Sequence, residues 1–175
     1  METTSALTFV TKELALYDEA LSGEERTHKI LLQIDDSNLL IAAHSEERKF
    51  LALESFSFKG NISNDYLLQC VEEALNQSKV VSGAGGNSEA HVIWFSKKVS
   101  LSPAPFFKAD KADSLLGANH QLSEHEEVRA SELNGGATFA LYAVPKKLES
   151  VLVKHMVVKN VVHSCACLIA VSYTH

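Results

Sequence analysis

The sequence predicts an α/β domain built on a mixed sheet, with α+β as the neighbouring class. Three observations carry that reading. The run from Ile30 to Phe58 alternates and breaks like three consecutive strands, a helix with one apolar stripe follows from Ser63, and helix–strand pairs fill the rest of the 175 residues. With 46% hydrophobic and 22% charged residues, the chain can bury a core as one domain, or as one domain with a small inserted lobe.

Residues 1–28 are mixed in character and read as a peripheral N-terminal arm holding a short helix or an edge strand. The main body, residues 29–175, starts with a strand, Ile30-Leu31-Leu32-Gln33-Ile34. Asp35-Asp36-Ser37-Asn38 has turn chemistry, and Leu39 to His44 is a second strand. A charged turn leads to a third strand, Phe50 to Phe58, in which Phe50, Ala52, Phe56 and Phe58 share a parity and so a face. The three strands make an antiparallel meander, which Gly60 ends. Ser63 opens a helix by accepting a first-turn N–H, with Ile62 and Leu67 stapling its entry. Leu67, Leu68, Val71, Ala74 and Leu75 form the stripe that packs on the meander.

Ser82 to Ser88 is a glycine-rich loop, and His91-Val92-Ile93-Trp94-Phe95 is a short buried strand whose histidine and aromatics read as core and strand-edge residues. Val99 to Pro103 is extended, and Pro103 and Pro105 stop it before a helix from Lys108 to Leu116. Glu127 to Leu133 and Ala137 to Val144 form a hairpin around Asn134-Gly135-Gly136, because Asn and Gly tolerate positive φ. Residues 99–144 are read as the inserted subdomain. Pro145 starts a helix with Leu148, Val151 and Leu152 on its inner face, and Val161 to Val171 is a final apolar strand.

A net charge of −6 argues against a nucleic-acid binder, which needs a cationic face to displace counterions from phosphates. Lys97–Lys98 and Lys146–Lys147 are only pairs, read as solvated lysines near element ends. The three cysteines, Cys70, Cys165 and Cys167, give no disulfide framework and suit a reducing compartment. Met1 to Leu7 lacks the basic-then-apolar order of a signal peptide, and no apolar run approaches the roughly 20 residues that span a bilayer. A cytoplasmic location without membrane insertion is expected.

Four segments carry a resemblance. They are Leu16-Tyr17-Asp18-Glu19, Phe50-Leu51-Ala52-Leu53-Glu54-Ser55-Phe56, Ser102-Pro103-Ala104-Pro105-Phe106-Phe107 and Leu141-Tyr142-Ala143-Val144-Pro145-Lys146-Lys147-Leu148. With the meander–helix–strand order, they resemble an uncharacterised Bacteroidetes family of the actin-like ATPase, ribonuclease H-like superfamily. The last two segments are also similar to pilus-assembly and secretion relatives of that fold. The resemblance runs from Leu16 to Ala170 and concerns structural, not catalytic, motifs. It implies a single actin-like lobe. Actin-like ATPases hold nucleotide between two lobes, so the second lobe is absent from this chain, whose end at Tyr173-Thr174-His175 is read as a truncation. Active members also carry an Asp followed by glycine and a hydroxyl residue in the first hairpin turn. Asp35-Asp36-Ser37-Asn38 has no glycine, and its second acid repels an anion, so as a phosphate site it is degenerate.

Other chemistry is weakly signalled. Asp35 and Asp36 could hold a divalent ion only with further carboxylates, for which Glu54, Glu72 and Glu73 are the candidates; a soluble tight turn is the preferred reading. His163, Cys165 and Cys167 share one strand parity, with His155 nearby. C-x-C on a strand is not the usual zinc knuckle, and buried thiols behave as small hydrophobes, so these remain weak metal candidates. No serine sits in G-x-S-x-G, and the Gly83–Gly86 run lacks the lysine of a phosphate loop. No catalytic residue and no cofactor are therefore expected. The leading expectation is a non-catalytic actin-like component that binds a protein partner or itself, at exposed edges of the meander or of the final strand. The alternative is an ATP- and magnesium-dependent enzyme. It would use Asp35, Asp36, Ser37 and Asn38, with its second lobe supplied by a missing segment or another copy. A zinc domain using the last strand is the third class.

Overall fold

The computed structural model describes residues 9–19, 29–47, 49–59, 63–84 and 88–166. Its centre is a six-stranded mixed sheet in the order β1 (Val10–Tyr17), β4 (Phe50–Phe58), β3 (Asn38–His44), β2 (Lys29–Ile34), β5 (Glu89–Trp94), β9 (Val157–His163). Strands β2 (Lys29–Ile34), β3 (Asn38–His44) and β4 (Phe50–Phe58) are the antiparallel meander. Alternation drives it. Ile30, Leu32 and Ile34, then Leu39, Ile41 and Ala43, then Ala52, Phe56 and Phe58 all point to one buried face. Phe50 does not join them. The register shifts between Ala43 and His44, so Leu51 and Ala52 both turn inward and Phe50 stays 50% exposed.

The arm contributes β1 (Val10–Tyr17), an edge strand antiparallel to β4. On the other side β5 (Glu89–Trp94) runs parallel to β2, and β9 (Val157–His163) runs parallel to β5. Both flanks of the meander are thus paired, and the expected free edges there do not exist. The last strand also differs from expectation: it starts at Val157 and stops at His163, and residues 164–166 turn helical. Its length is set by its neighbour, since pairing ends where Trp94 meets His163. Residues 167–171 of the expected strand lie outside the described residues, as do Gly60 and Ile62.

Helix α1 (Asn64–Gln77) begins as expected, with Ser63 Oγ accepting from the Tyr66 N–H at 3.3 Å. Leu67, Leu68, Val71, Ala74 and Leu75 are buried against the sheet. A short α2 (Lys79–Ala84) takes in Ser82 and Gly83, the start of the expected loop. A second, three-stranded antiparallel sheet joins β6 (Val99–Pro103), β8 (Thr138–Pro145) and β7 (Glu126–Leu133) in that order. The helix α3 (Ala112–Gly117) preceding β7 packs Leu116 on Leu141 and Ala143. Asn134, Gly135 and Gly136 turn the β7–β8 hairpin with φ of 53°, 61° and 87°. Pro145 ends β8 instead of opening a helix. Lys146 N–H still bonds His125 O at 2.9 Å, so α4 (Leu148–Leu152) waits until the ladder is finished. Leu148, Val151 and Leu152 are its buried face.

Candidate functional site

Parallel pairing of β2, β5 and β9 brings Ile34, Trp94 and His163 side by side at their carboxyl ends. Open α/β sheets hold ligands in the crevice outside such ends, where the connecting loops converge. A cleft of about 400 Å³ opens there. Leu67, Trp94, Phe95 and Ala143 supply its apolar surface. The Asp35-Asp36-Ser37 turn lies on one side, and Lys97, Lys98 and Glu126 on the other. Trp94 Nε1 donates to Ala143 O at 2.8 Å, which ties the main sheet to β8 under the cleft.

The turn is closed from inside. Asp35 N–H bonds Asn38 O at 3.0 Å, and the Asp35 carboxylate folds back over the loop. Its Oδ1 accepts from Ser37 N and Asn38 N, each at 2.7 Å, from Ser37 Oγ at 2.9 Å and from Asn38 Nδ2 at 3.3 Å. This is an Asx turn, in which a short acidic side chain satisfies backbone N–H groups two and three residues on. Those are the donors a phosphate would need. Asp36, beyond them, is paired with Lys97 Nζ at 2.7 Å, and that bond and the Asp36 charge, with a smaller pull from Asp35, raise the Lys97 pKa.

Lys98, half-buried, donates to Glu126 Oε2 at 2.6 Å, and Ser123 N–H donates to the same oxygen at 2.8 Å. Burial alone would push the Glu126 carboxyl up, but these donors hold it below the usual range. Glu126 was not singled out by its sequence; of Lys97–Lys98, read as solvated, Lys97 is 90% exposed and Lys98 half-buried. The β2–β5 pairing brings Lys97 and Lys98 to the Asp35 turn and the β6–β8–β7 sheet brings Glu126 to Lys98, long-range facts without a local signature. Glu54, Glu72 and Glu73, the carboxylates expected as further ligands, are engaged elsewhere. Glu72 pairs with Lys154 at 2.6 Å, and Glu73 accepts from Gln77 at 3.1 Å.

Glu54 is fully buried at the β1 side of the sheet, on the face shared by Ala52 and Phe56. It accepts from Lys12 Nζ at 2.7 Å, from the Tyr17 and Ser78 hydroxyls and from Lys79 N–H at 3.2 Å. Desolvation opposes its charge, yet the four donors together keep its pKa lowered; burial and the Glu54 carboxylate push Tyr17 up to about 12. An acid within an apolar parity was visible in the sequence, but its partners were not.

At the end of β9, His163 is buried with both ring nitrogens occupied. Nε2 faces Ser96 O at 3.1 Å and Ser96 N at 3.2 Å, and Nδ1 meets Cys165 N at 3.2 Å and Cys165 Sγ at 3.1 Å. Burial lowers its pKa against the Ser96 bond, so the ring is neutral and anchors the link beneath the cleft. With β9 ending at His163, Cys165 is no longer on a shared strand parity with it, and Cys167 lies outside the described residues. His155 precedes β9, so the length of the strand from Val157 to His163 lies between it and His163 in the chain. Among the described residues no three His, Cys, Asp or Glu side chains gather as a metal-binding group, and no helix is long and apolar enough to cross a membrane.

Three comparisons with known proteins bear on this geometry. A family model described as "Protein of unknown function (DUF3822)" matches residues 19–175. A crystal structure from Bacteroides thetaiotaomicron VPI-5482, described as a protein with actin-like ATPase fold and unknown function, superposes with a TM-score of 0.70 at 14% identity. The match covers 84% of this chain and 56% of that one. The fold is therefore the actin-like ATPase fold, and the chain spans little more than half of that protein's length. The cytoplasmic domain of EpsL, an inner membrane component of the type II secretion system of Vibrio cholerae, aligns at 12% identity. It covers 78% of this chain and 57% of that one with a TM-score of 0.42. No curated protein matches.

Proposed function

The chain belongs to the DUF3822 family of proteins of unknown function, and from that footing we propose that it is a non-catalytic actin-like component that works by binding protein, in the cytoplasm. One observation carries the proposal: the Asp35 carboxylate already occupies the Ser37 and Asn38 N–H groups of the first hairpin turn. Hydrogen bonds to a charged group contribute about 1.5–3 kcal/mol each. A phosphate arriving there would break as many as it formed, and would then face Asp36 and a displaced Asp35. No net binding energy is left for it. The second reading, a nucleotide enzyme completed by another lobe, is favoured by the cleft's position at the carboxyl ends of β2 and β5 and by Lys97 and Lys98 on its wall.

Thermal unfolding with and without magnesium–ATP tests the choice. A ligand at a hundred times its Kd adds about 2.7 kcal/mol, or roughly 5–10 °C for a chain of this size. The proposal expects Tm to stay within about 1 °C of its ligand-free value; a rise of several degrees would overturn it in favour of the enzyme.

A further inference from the structure

The cleft that refuses a phosphate has a definite chemistry of its own. Its apolar lining is the exposed Phe95 beside the buried Leu67, Trp94 and Ala143, and a volume of about 400 Å³ lies within the range of sites that hold small organic groups. Its walls bring three acids, Asp35, Asp36 and Glu126, against two bases, Lys97 and Lys98. Each base is matched: Lys98 to Glu126 at 2.6 Å, Lys97 to Asp36 at 2.7 Å. Asp35, which adds to the attraction on Lys97, has no ion pair of its own among the described residues and leaves the wall one negative charge in excess. Its Oδ1 is committed to the turn, while Oδ2 takes only a long 3.5 Å contact from Asn38 Nδ2 among the described residues. The unmet demand at this wall is for a cationic donor, beside a surface that asks for an apolar group.

Resting on the protein-binding reading above, we propose that this cleft is the docking site for an extended segment of a partner protein. The segment sets a large apolar side chain on Phe95, over the buried Trp94 and Leu67, and a neighbouring lysine or arginine on Asp35 Oδ2. Charge complementarity selects this occupant. An anionic ligand meets three carboxylates, and a purely apolar one leaves Asp35 desolvated without a partner. A side-chain pair of opposite character on one short stretch satisfies both walls at once.

Trp94 is the chain's only tryptophan and lines the cleft, so its emission reports occupancy. The probe is a display library randomised over six positions, selected against the full chain, with the enriched sequence then made as a free peptide. Enriched sequences should place an aromatic or large aliphatic residue within two positions of Lys or Arg. The peptide should shift Trp94 emission saturably, and changing its basic residue to Glu should weaken binding at least tenfold. Asp35→Asn should weaken it about tenfold while leaving the far-UV spectrum intact, because Asn keeps an Oδ1 acceptor for Ser37 and Asn38. The peptide-side exchange needs no variant and stands if Asp35→Asn misfolds. No enrichment, no basic preference, binding that leaves Trp94 emission unmoved, or equal affinity for free arginine amide would each overturn the proposal. Peptide binding elsewhere on the chain sinks the cleft while sparing the protein-binding reading; saturable magnesium–ATP binding sinks that reading itself.

Discussion

Replacing Glu54 is the sharpest perturbation of the fold. Its side chain is fully buried, and its oxygens accept from Lys12, Tyr17, Ser78 and the Lys79 N–H, joining β1 and β4 to the α1–α2 junction. Glu54→Ala removes the shared acceptor of all four donors and leaves the Lys12 charge, whose side chain is only 26% exposed, without its counter-ion and with only Gln77 O as acceptor. Breaking a buried ion pair from one side costs about 3–5 kcal/mol. For a chain of this length that lowers Tm by roughly 6–20 °C. Glu54→Gln keeps the volume and one acceptor oxygen, so it should cost less, about 1–3 kcal/mol. The two variants also differ from wild type in pH dependence. Because the folded Glu54 pKa is lowered, its contribution is fully present above the unfolded pKa of about 4.3 and is lost as pH falls through the folded value. Urea unfolding at pH 7 and at steps from pH 5 to pH 3, followed by circular dichroism, reads both effects. Stability should fall less steeply over that acid range in Glu54→Gln than in wild type, where Glu126 also contributes. If Glu54→Ala unfolds within about 1 kcal/mol of wild type at pH 7, the cluster does not hold the edge strand and the reasoning fails.

Two further outcomes follow from local geometry. Ser63→Ala removes the hydroxyl that accepts the Tyr66 N–H and should cost about 1 kcal/mol, while Ser63→Asp should be close to neutral; urea midpoints at constant m-value decide. Gly135 sits at φ 61° with open space where a Cβ would go, so Gly135→Ala should cost about 1–2 kcal/mol from backbone conformation alone, and a neutral result in the same titration would contradict the hairpin geometry.

Local rules carried a good part of the fold. The meander from Ile30 to Phe58 was legible because each strand repeats an apolar residue every second position and the turns between are polar. Asn134-Gly135-Gly136 announced its hairpin, and Ser63 its helix, by residue types whose conformational preferences act within a few positions. What escaped depends on distant partners. Phe50 follows the strand's parity but faces out because a bulge opposite Ala43 reverses it. Pro145 suits the first turn of a helix as well as the last residue of a strand, and only the Lys146–His125 bond shows which. The bounds of β9 are those of β5, its neighbour. In the cleft, Asp35 to Asn38 were legible as a turn without a phosphate-binding glycine, whereas Glu126 and Lys98 arrive from the second sheet and its link.

The Asp35 carboxylate occupies the Ser37 and Asn38 N–H groups of its own turn, and the amide signals of those two residues read that directly. In nitrogen–proton correlation spectra, both should hold their positions as magnesium–ATP is added to millimolar excess, and both should move when Asp35→Ala removes the internal acceptor. Saturable movement of the two wild-type signals with added nucleotide would contradict the account.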